Sequence, residues 1–206
     1  MTERPIDLDA QLAEAAAAVA AGEAIVYPTE TVYGLGADAT DPSAVEHVFS
    51  MKARSRHKPL SVAVSAVEHV QSVARPSSRA QRFMDAFLPG PVTVVVERQP
   101  SLPDALTAGG DRVGIRVPDH VLARSLLHRT PPLTATSANR SGHPAARTVS
   151  AIHRSVVENA AVVLDDGETP GGASTVVDVD HGIVHRRGAF ADDIEAWLDA
   201  DQDDSP

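Results

Sequence analysis

Short runs of β-branched and apolar residues, each closed by Gly, Pro, Asp or His, recur along this 206-residue chain with helical stretches between most of them. That alternation constrains the fold more than any other feature, because strands separated by helices build a sheet with helices packed on it. The strand candidates are 24–27, 60–64, 92–96, 113–117, 133–136, 162–164, 175–179 and 183–185. Helical patterns cover 8–21, about 41–53, 67–74, 78–88, 119–128 and 149–158. Asp41-Pro42 is an N-cap followed by proline at the first helical position. The last two strands adjoin across Asp180-His181-Gly182, a hairpin step that argues for a mixed rather than purely doubly wound sheet. The fold class is therefore α/β, an open, strongly twisted mixed sheet with helices packed on it. With no internal repeat and no long linker, residues 1–199 read as one domain and 200–206 as an acidic tail.

Composition narrows the function classes. The chain has no cysteine, which removes disulfides, thiolate metal sites and a thiol nucleophile together. No apolar run approaches the length needed to cross a bilayer, and the acidic N-terminus lacks the order of a signal peptide, so the expectation is a cytoplasmic protein without a membrane partner. The net charge is −10, but seven acids and no base follow position 191; without them the remainder carries −3. A local cationic hollow is compatible with that distribution.

The bases are sixteen arginines and two lysines, and both lysines, Lys52 and Lys58, stand in MKARSRHKPL. No P-loop, dinucleotide fingerprint, serine elbow or H-E-x-x-H is present, and Gly34-Leu35-Gly36 lacks a third glycine. His181 and His185 read as surface or packing residues. What remains is five polar loops at strand ends: Pro28 to Gly36, Lys52 to Lys58, Gly109 to Pro118, Thr134 to Gly142, and Gly171 to Thr175 with Arg186-Arg187-Gly188. The first could be an ordinary glycine turn, and a hydroxyl cluster such as the fourth either caps a helix or binds a ligand. In an extended strand Arg112, Gly114 and Arg116 share one face, so an apolar strand carries two guanidinium groups with bare backbone between them. Five such loops on a lysine-poor scaffold suggest a cavity for a polyanion such as a nucleoside triphosphate.

Taken together, PTETVYGLGADA, KARSRHKPL, FLPGPVTVVV, VGIRVPDH, TSANRSGHP and ASTVVDV, in this order, resemble the YrdC-like threonylcarbamoyl-AMP synthase family. The resemblance implies a YrdC-like fold around a concave positive cavity. It also implies a nucleotidyltransferase reaction, in which L-threonine, bicarbonate and ATP give threonylcarbamoyl-AMP and pyrophosphate for the t6A modification of tRNA. By the family pattern Thr31, Arg116 and Ser174 contact threonine, with Arg116 gripping its carboxylate in a bidentate pair. Lys52 and Arg54 match the K-x-R pair as catalytic residues, and Arg54, Lys58, Arg112, Ser137, Asn139 and Arg186 hold ATP. Ala63 stands where some relatives place a histidine, and Arg187 where many place proline.

Mg2+ is expected from the chemistry of ATP, and the sequence singles out no protein carboxylate as its ligand. The partners implied are the downstream tRNA threonylcarbamoyl transferase machinery and weak RNA binding. Two other readings compete: a non-catalytic binder of double-stranded RNA, and a relative that forms carbamoyl-adenylate. The acidity and the 3% aromatic content weigh against the first.

Overall fold

The computed structural model describes residues 8–203. Helix α1 (Leu8–Ala20) buries Leu12, Ala15 and Val19 and stops at Gly22, whose φ of +84° suits a residue without a Cβ. Strand β1 (Ile25–Tyr27) leads through a polar loop into β2 (Gly34–Gly36), and α2 (Pro42–Lys52) follows. The Asp41 carboxylate accepts from the Ser43 amide at 2.8 Å, the cap expected from Asp-Pro. The chain continues as β3 (Ser61–Ala63), β4 (Ala74–Arg75), α3 (Ser78–Phe87), β5 (Val92–Arg98) and β6 (Arg112–Arg116). After them come α4 (Val121–Leu127), β7 (Leu133–Ser137), α5 (Arg154–Val157), β8 (Val162–Val163), β9 (Thr175–Asp178), β10 (Ile183–Arg186) and α6 (Ala191–Asp203).

All ten strands join one mixed sheet in the order β10-β9-β5-β6-β3-β7-β2-β1-β8, with β4 pairing outside β5. The pairs β1/β8, β3/β6 and β5/β9 are parallel and the others antiparallel. This is the expected mixed α/β sheet. Alternation along the strands sends Val26, Leu35, Val62, Val94, Val96, Val113 and Ile115 to one face, where α2, α3, α5 and α6 cover them in the main core. Ile25, Tyr27, Ala63 and Leu133 point the other way, and there α1 and α4 form a smaller core. These two helices cover only part of that face, and the rest is open.

Five local expectations change. The stretch 34–36, read as part of a polar loop or a glycine turn, is a strand paired on both sides, and a Cβ on Gly36 would lie 2.9 Å from the Tyr27 ring. Residues 67–74 are not a helix throughout: a 3-10 helix at Val67–Ser72 precedes β4, whose β-branched approach suits an edge strand beside β5. Residues 149–158 divide into a 3-10 turn and the short α5, with the His153 ring accepting from the Ser155 amide at the junction. The span 119–128 starts later, because the His120 side chain serves as the N-cap of α4. The acidic end is not all tail: α6 runs through 203 and docks by burying Ile194 and Leu198, with Trp197 edge-on to Phe83 at 5.1 Å. Residues 204–206 of the expected tail, and Glu3 and Asp7 of the acidic N-terminus, lie outside the described residues.

Candidate active site

The uncovered part of the sheet is the floor of a cavity of about 790 Å³, within the range typical for small-molecule sites. Alternate residues of neighbouring strands pave it: Asp178, Val95, Gly114, Ser61, Ala63, Ala135 and Ser137, with Tyr27 and Gly34 beyond. Five cations line it, Arg54, Lys58, Arg112, Arg116 and Arg186, against one carboxylate, Asp178. That imbalance suits an anionic ligand. Thr31, Ser137 and Ser174 line it too, so eight of the ten site residues singled out from the sequence converge on one hollow.

The strand β6 divides the cavity into two ends. Arg112 and Arg116 lie on the same face of this strand, as its alternating burial requires, and four residues of extended chain separate them by about 13 Å. Around Arg116, the Nη2 donates to Thr31 Oγ1 and to Glu30 Oε1, each at 2.7 Å. Arg186 belongs to this end as well: its Nε donates to the Ser174 carbonyl at 2.9 Å and its Nη2 to Ser174 Oγ at 2.8 Å. Burial holds the Arg186 guanidinium below its usual range, and the Arg116 charge adds to the effect. Two guanidinium groups that disfavour each other are a place for a carboxylate.

The other end gathers around Arg112. Its Nη2 donates to the Val95 carbonyl and Asp178 Oδ1, both at 2.8 Å, and to Asp180 Oδ2 at 3.3 Å. Because β3 runs parallel to β6 with Val62 beside Ile115, the segment 54–59 enters β3 on the Arg112 side. Strand β7 pairs antiparallel to β3 with Ala135 beside Ser61, which brings Ser137 to that side also. Arg54 shapes its own loop by donating to the carbonyls of Lys58 at 3.0 Å and Pro59 at 2.9 Å.

Lys52 and Asn139 are the two that do not line the cavity. Lys52 is 1% exposed at the end of α2, and its ammonium donates to the Ser137 carbonyl and to the Asn139 carbonyl, the latter at 2.6 Å. Asn139 accepts the Ser137 hydroxyl through its side-chain oxygen and donates to the carbonyls of Arg140 and His143 at 2.8 and 2.6 Å. Together they tie down the loop that presents Ser137. Of the adjacent arginines only Arg186 faces the cavity; Arg187 pairs with Asp192 and Glu195 of α6.

Burial pulls the Lys52 ammonium down to about 8, with Arg54 contributing, from an ordinary 10.5. Between these values the unfolded chain holds a proton that the folded one has released, so the free energy of unfolding rises with pH. From pH 8 to 9.5 the protein should therefore gain stability relative to Lys52→Met, by at most about 1.4 kcal/mol per pH unit. Urea unfolding of both proteins at the two pH values measures this, and identical pH profiles would contradict it.

Sequence reasoning missed several lining residues. His185 and His57 face the cavity, whereas His185 was expected at the surface or in packing. Thr93 reaches Ser174 Oγ at 3.1 Å, Gly114 lies so close to Ser61 Oγ that a Cβ would come within 2.7 Å, and Tyr27, its phenol pushed up to about 12 by burial, closes one side. Asp178 stood within ASTVVDV but had no assigned role; its carboxylate accepts from the His181 amide at 3.2 Å and from Arg112, with the His181 ring nitrogen 2.9 Å away.

The profile of the Sua5_yciO_yrdC family, described as "Telomere recombination", matches residues 17–188. The threonylcarbamoyl-AMP synthase of Bacillus subtilis is 36% identical over 175 residues, which are 82% of this chain and 50% of that protein. The threonylcarbamoyl-AMP synthase of Photobacterium profundum is 32% identical over 187 residues, 89% of this chain and 96% of that one. The crystal structure of Pyrococcus abyssi Sua5 complexed with L-threonine superposes with a TM-score of 0.85 at 32% identity, covering 94% of this chain and 58% of that chain. The chain thus spans about half the length of the Bacillus relative and nearly all of the Photobacterium one. No helix among the described residues is long and apolar enough to cross a membrane.

Proposed function

Because the chain belongs to the Sua5/YciO/YrdC family, we propose that it is a threonylcarbamoyl-AMP synthase, a nucleotidyltransferase that joins L-threonine, bicarbonate and ATP and releases pyrophosphate. The observation that carries this reading is the single cavity with a carboxylate-sized cationic end at Arg116 and Arg186 and a second cationic end at Arg54, Lys58 and Arg112. A substrate amino acid at the first end and a triphosphate at the second would place the amine near the α-phosphate.

The chemistry needs no covalent intermediate on the protein. The threonine amine, in its unprotonated form, adds to the carbon of bicarbonate with loss of water, or to CO2 with release of a proton to solvent, and gives a carbamate. A carbamate oxygen then attacks the α-phosphorus in line as pyrophosphate leaves. The chain supplies fixed charges that gather repelling anions and hold them at reacting distance, the effects that dominate such transfers. Thr31 and Ser174 flank the threonine carboxylate, and Ser137 stands beside the phosphates.

Mg2+ arrives with ATP in this reading and lessens the phosphate charge. Among the described residues no three His, Asp or Glu side chains gather to hold a metal. Asp178 is engaged by Arg112 and His181, so phosphate oxygens and water would be its main ligands. The product would pass to the machinery that transfers threonylcarbamoyl to tRNA.

The test is pyrophosphate release and labelled bicarbonate incorporation into an adenylate, with threonine and ATP omitted in turn. Release that needs ATP and bicarbonate but ignores threonine would replace this reading with carbamoyl-adenylate formation. Arg116→Lys is expected to raise the KM for threonine about tenfold or more while changing that for ATP less than threefold, because an ammonium cannot reproduce the guanidinium fork. Equal rises for both substrates would move threonine away from Arg116.

A further inference from the structure

Two polar atoms at the Arg116 end are left without partners. Glu30 Oε1 accepts from Arg116 Nη2 at 2.7 Å, in a pair whose side chains are only 12% and 14% exposed. The second carboxylate oxygen, Glu30 Oε2, and the Arg116 Nε are both buried and meet no hydrogen-bond partner. Buried groups of this kind are normally satisfied, and charged ones carry the larger penalty when they are not. Here the gap is complementary, one free acceptor beside one free donor within a single ion pair. An α-amino acid has the matching halves, an ammonium that donates and a carboxylate that accepts, held a few ångströms apart by one carbon. Neighbouring groups favour such an occupant. Arg116 lines the cavity with Thr29 and Thr31, the residues on either side of Glu30, whereas the Glu30 side chain is not part of the lining and would turn toward the cavity to meet a ligand; Thr31 Oγ1 shares the Arg116 Nη2, and Ala63, paired with Arg116 in the β3/β6 ladder, puts only a methyl group beside it.

We propose that Glu30 receives the α-ammonium of the amino-acid substrate while Arg116 takes its carboxylate, so that the pair reads both charges of a zwitterion. This rests on the threonine reading above and deepens it. Glu30 would then hold the nitrogen that attacks once its ammonium has given up a proton to solvent, and hydroxy acids and simple carboxylic acids would be poor ligands for want of an ammonium. The rival role is that of a strut, in which Glu30 only steadies Arg116 and never meets the ligand.

A deaminated threonine separates the two roles. (3R)-3-Hydroxybutanoate keeps the carboxylate and hydroxyl and lacks the amine. Its inhibition constant is measured against pyrophosphate release supported by threonine, and L-threonine binding by calorimetry, for the wild-type protein and for Glu30→Gln. The glutamine keeps an oxygen for Arg116 and loses the charge. The expected result is threonine binding weakened about tenfold or more with the deaminated acid changed less than twofold. Equal weakening of both ligands, or no weakening of either, would overturn the proposal. The wild-type protein gives an arm that does not depend on the variant folding: it should bind threonine at least tenfold tighter than the deaminated acid, and lack of that preference would also overturn it. If the wild-type protein binds neither ligand and releases no pyrophosphate with threonine, the functional reading itself falls; if it does both and the ligand pattern is flat, only the role of Glu30 falls.

Discussion

Lys52→Met should lower turnover by roughly 10²–10³-fold while leaving a folded protein, the size of effect seen when one preorganised element of a site is lost. Methionine matches the buried stem of lysine closely, so α2 and its packing are preserved. What disappears is the ammonium that gathers the carbonyls of Ser137 and Asn139. The Ser137 carbonyl keeps the Asn139 amide at 2.9 Å, but the Asn139 carbonyl loses the ammonium, which costs about 1–3 kcal/mol that the loop recovers by turning outward to water. Ser137 would leave the cavity wall with it, and the phosphate end would lose its shape. Initial rates of pyrophosphate release, taken beside a thermal melt, give the answer. A variant within threefold of the wild-type rate would mean that the loop is held by something else.

Gly188→Ala is the second large effect, and it acts from the opposite wall. Glycine is needed there for space: a Cβ would overlap the Ala173 carbonyl oxygen and lie 2.6 Å from Ser174 C. Those are backbone atoms, which cannot turn aside as a side-chain tip can. The Gly188 amide also donates to Thr175 Oγ1 at 2.9 Å, while that hydroxyl donates to the Ala189 carbonyl at 2.6 Å, so the two segments are stitched where they touch. Adding one methyl should cost about 3 kcal/mol of stability, at the upper end for overpacking. It should also push Ser174 out of reach of Arg186, with threonine-dependent turnover falling about 100-fold. Unfolding midpoints and the KM for threonine report the two consequences separately. A variant with wild-type stability would show that this close approach relaxes without strain.

Reading the sequence recovered the α/β class, the mixed sheet and most of the cavity, and the gaps have physical causes. Strands β5 and β6 announced themselves because their runs are β-branched and bounded by turns. Strand β2 did not, since two of its three residues are glycines, which signal turns; only the Tyr27 ring packed across it explains why small residues belong in a strand there. Helix α6 was hidden by its acids. Ala191, Ile194 and Leu198 form a buried stripe at helical spacing, but the six carboxylates of the helix mask it, and its end from 200 reads as a tail. Lys52 and Arg54 stand two apart in one motif and both read as catalytic, Arg54 as an ATP contact as well. Their separation into a loop clamp and a cavity wall is invisible in sequence, because the acceptors of Lys52 are backbone carbonyls 85 and 87 residues away. Glu30 lacked any local signal for a comparable reason, its partner being 86 positions on.

The backbone positions of the two arginines of β6 are spaced by a pleated strand laddered on both sides, to β5 and to β3. Such a strand scarcely stretches, so the molecule carries a built-in ruler of about 13 Å. A compound too short to touch both marks can sit at either but draws on only half of the attraction, whereas the joined adduct spans the gauge from end to end. Length, as much as charge, would then decide what this hollow retains.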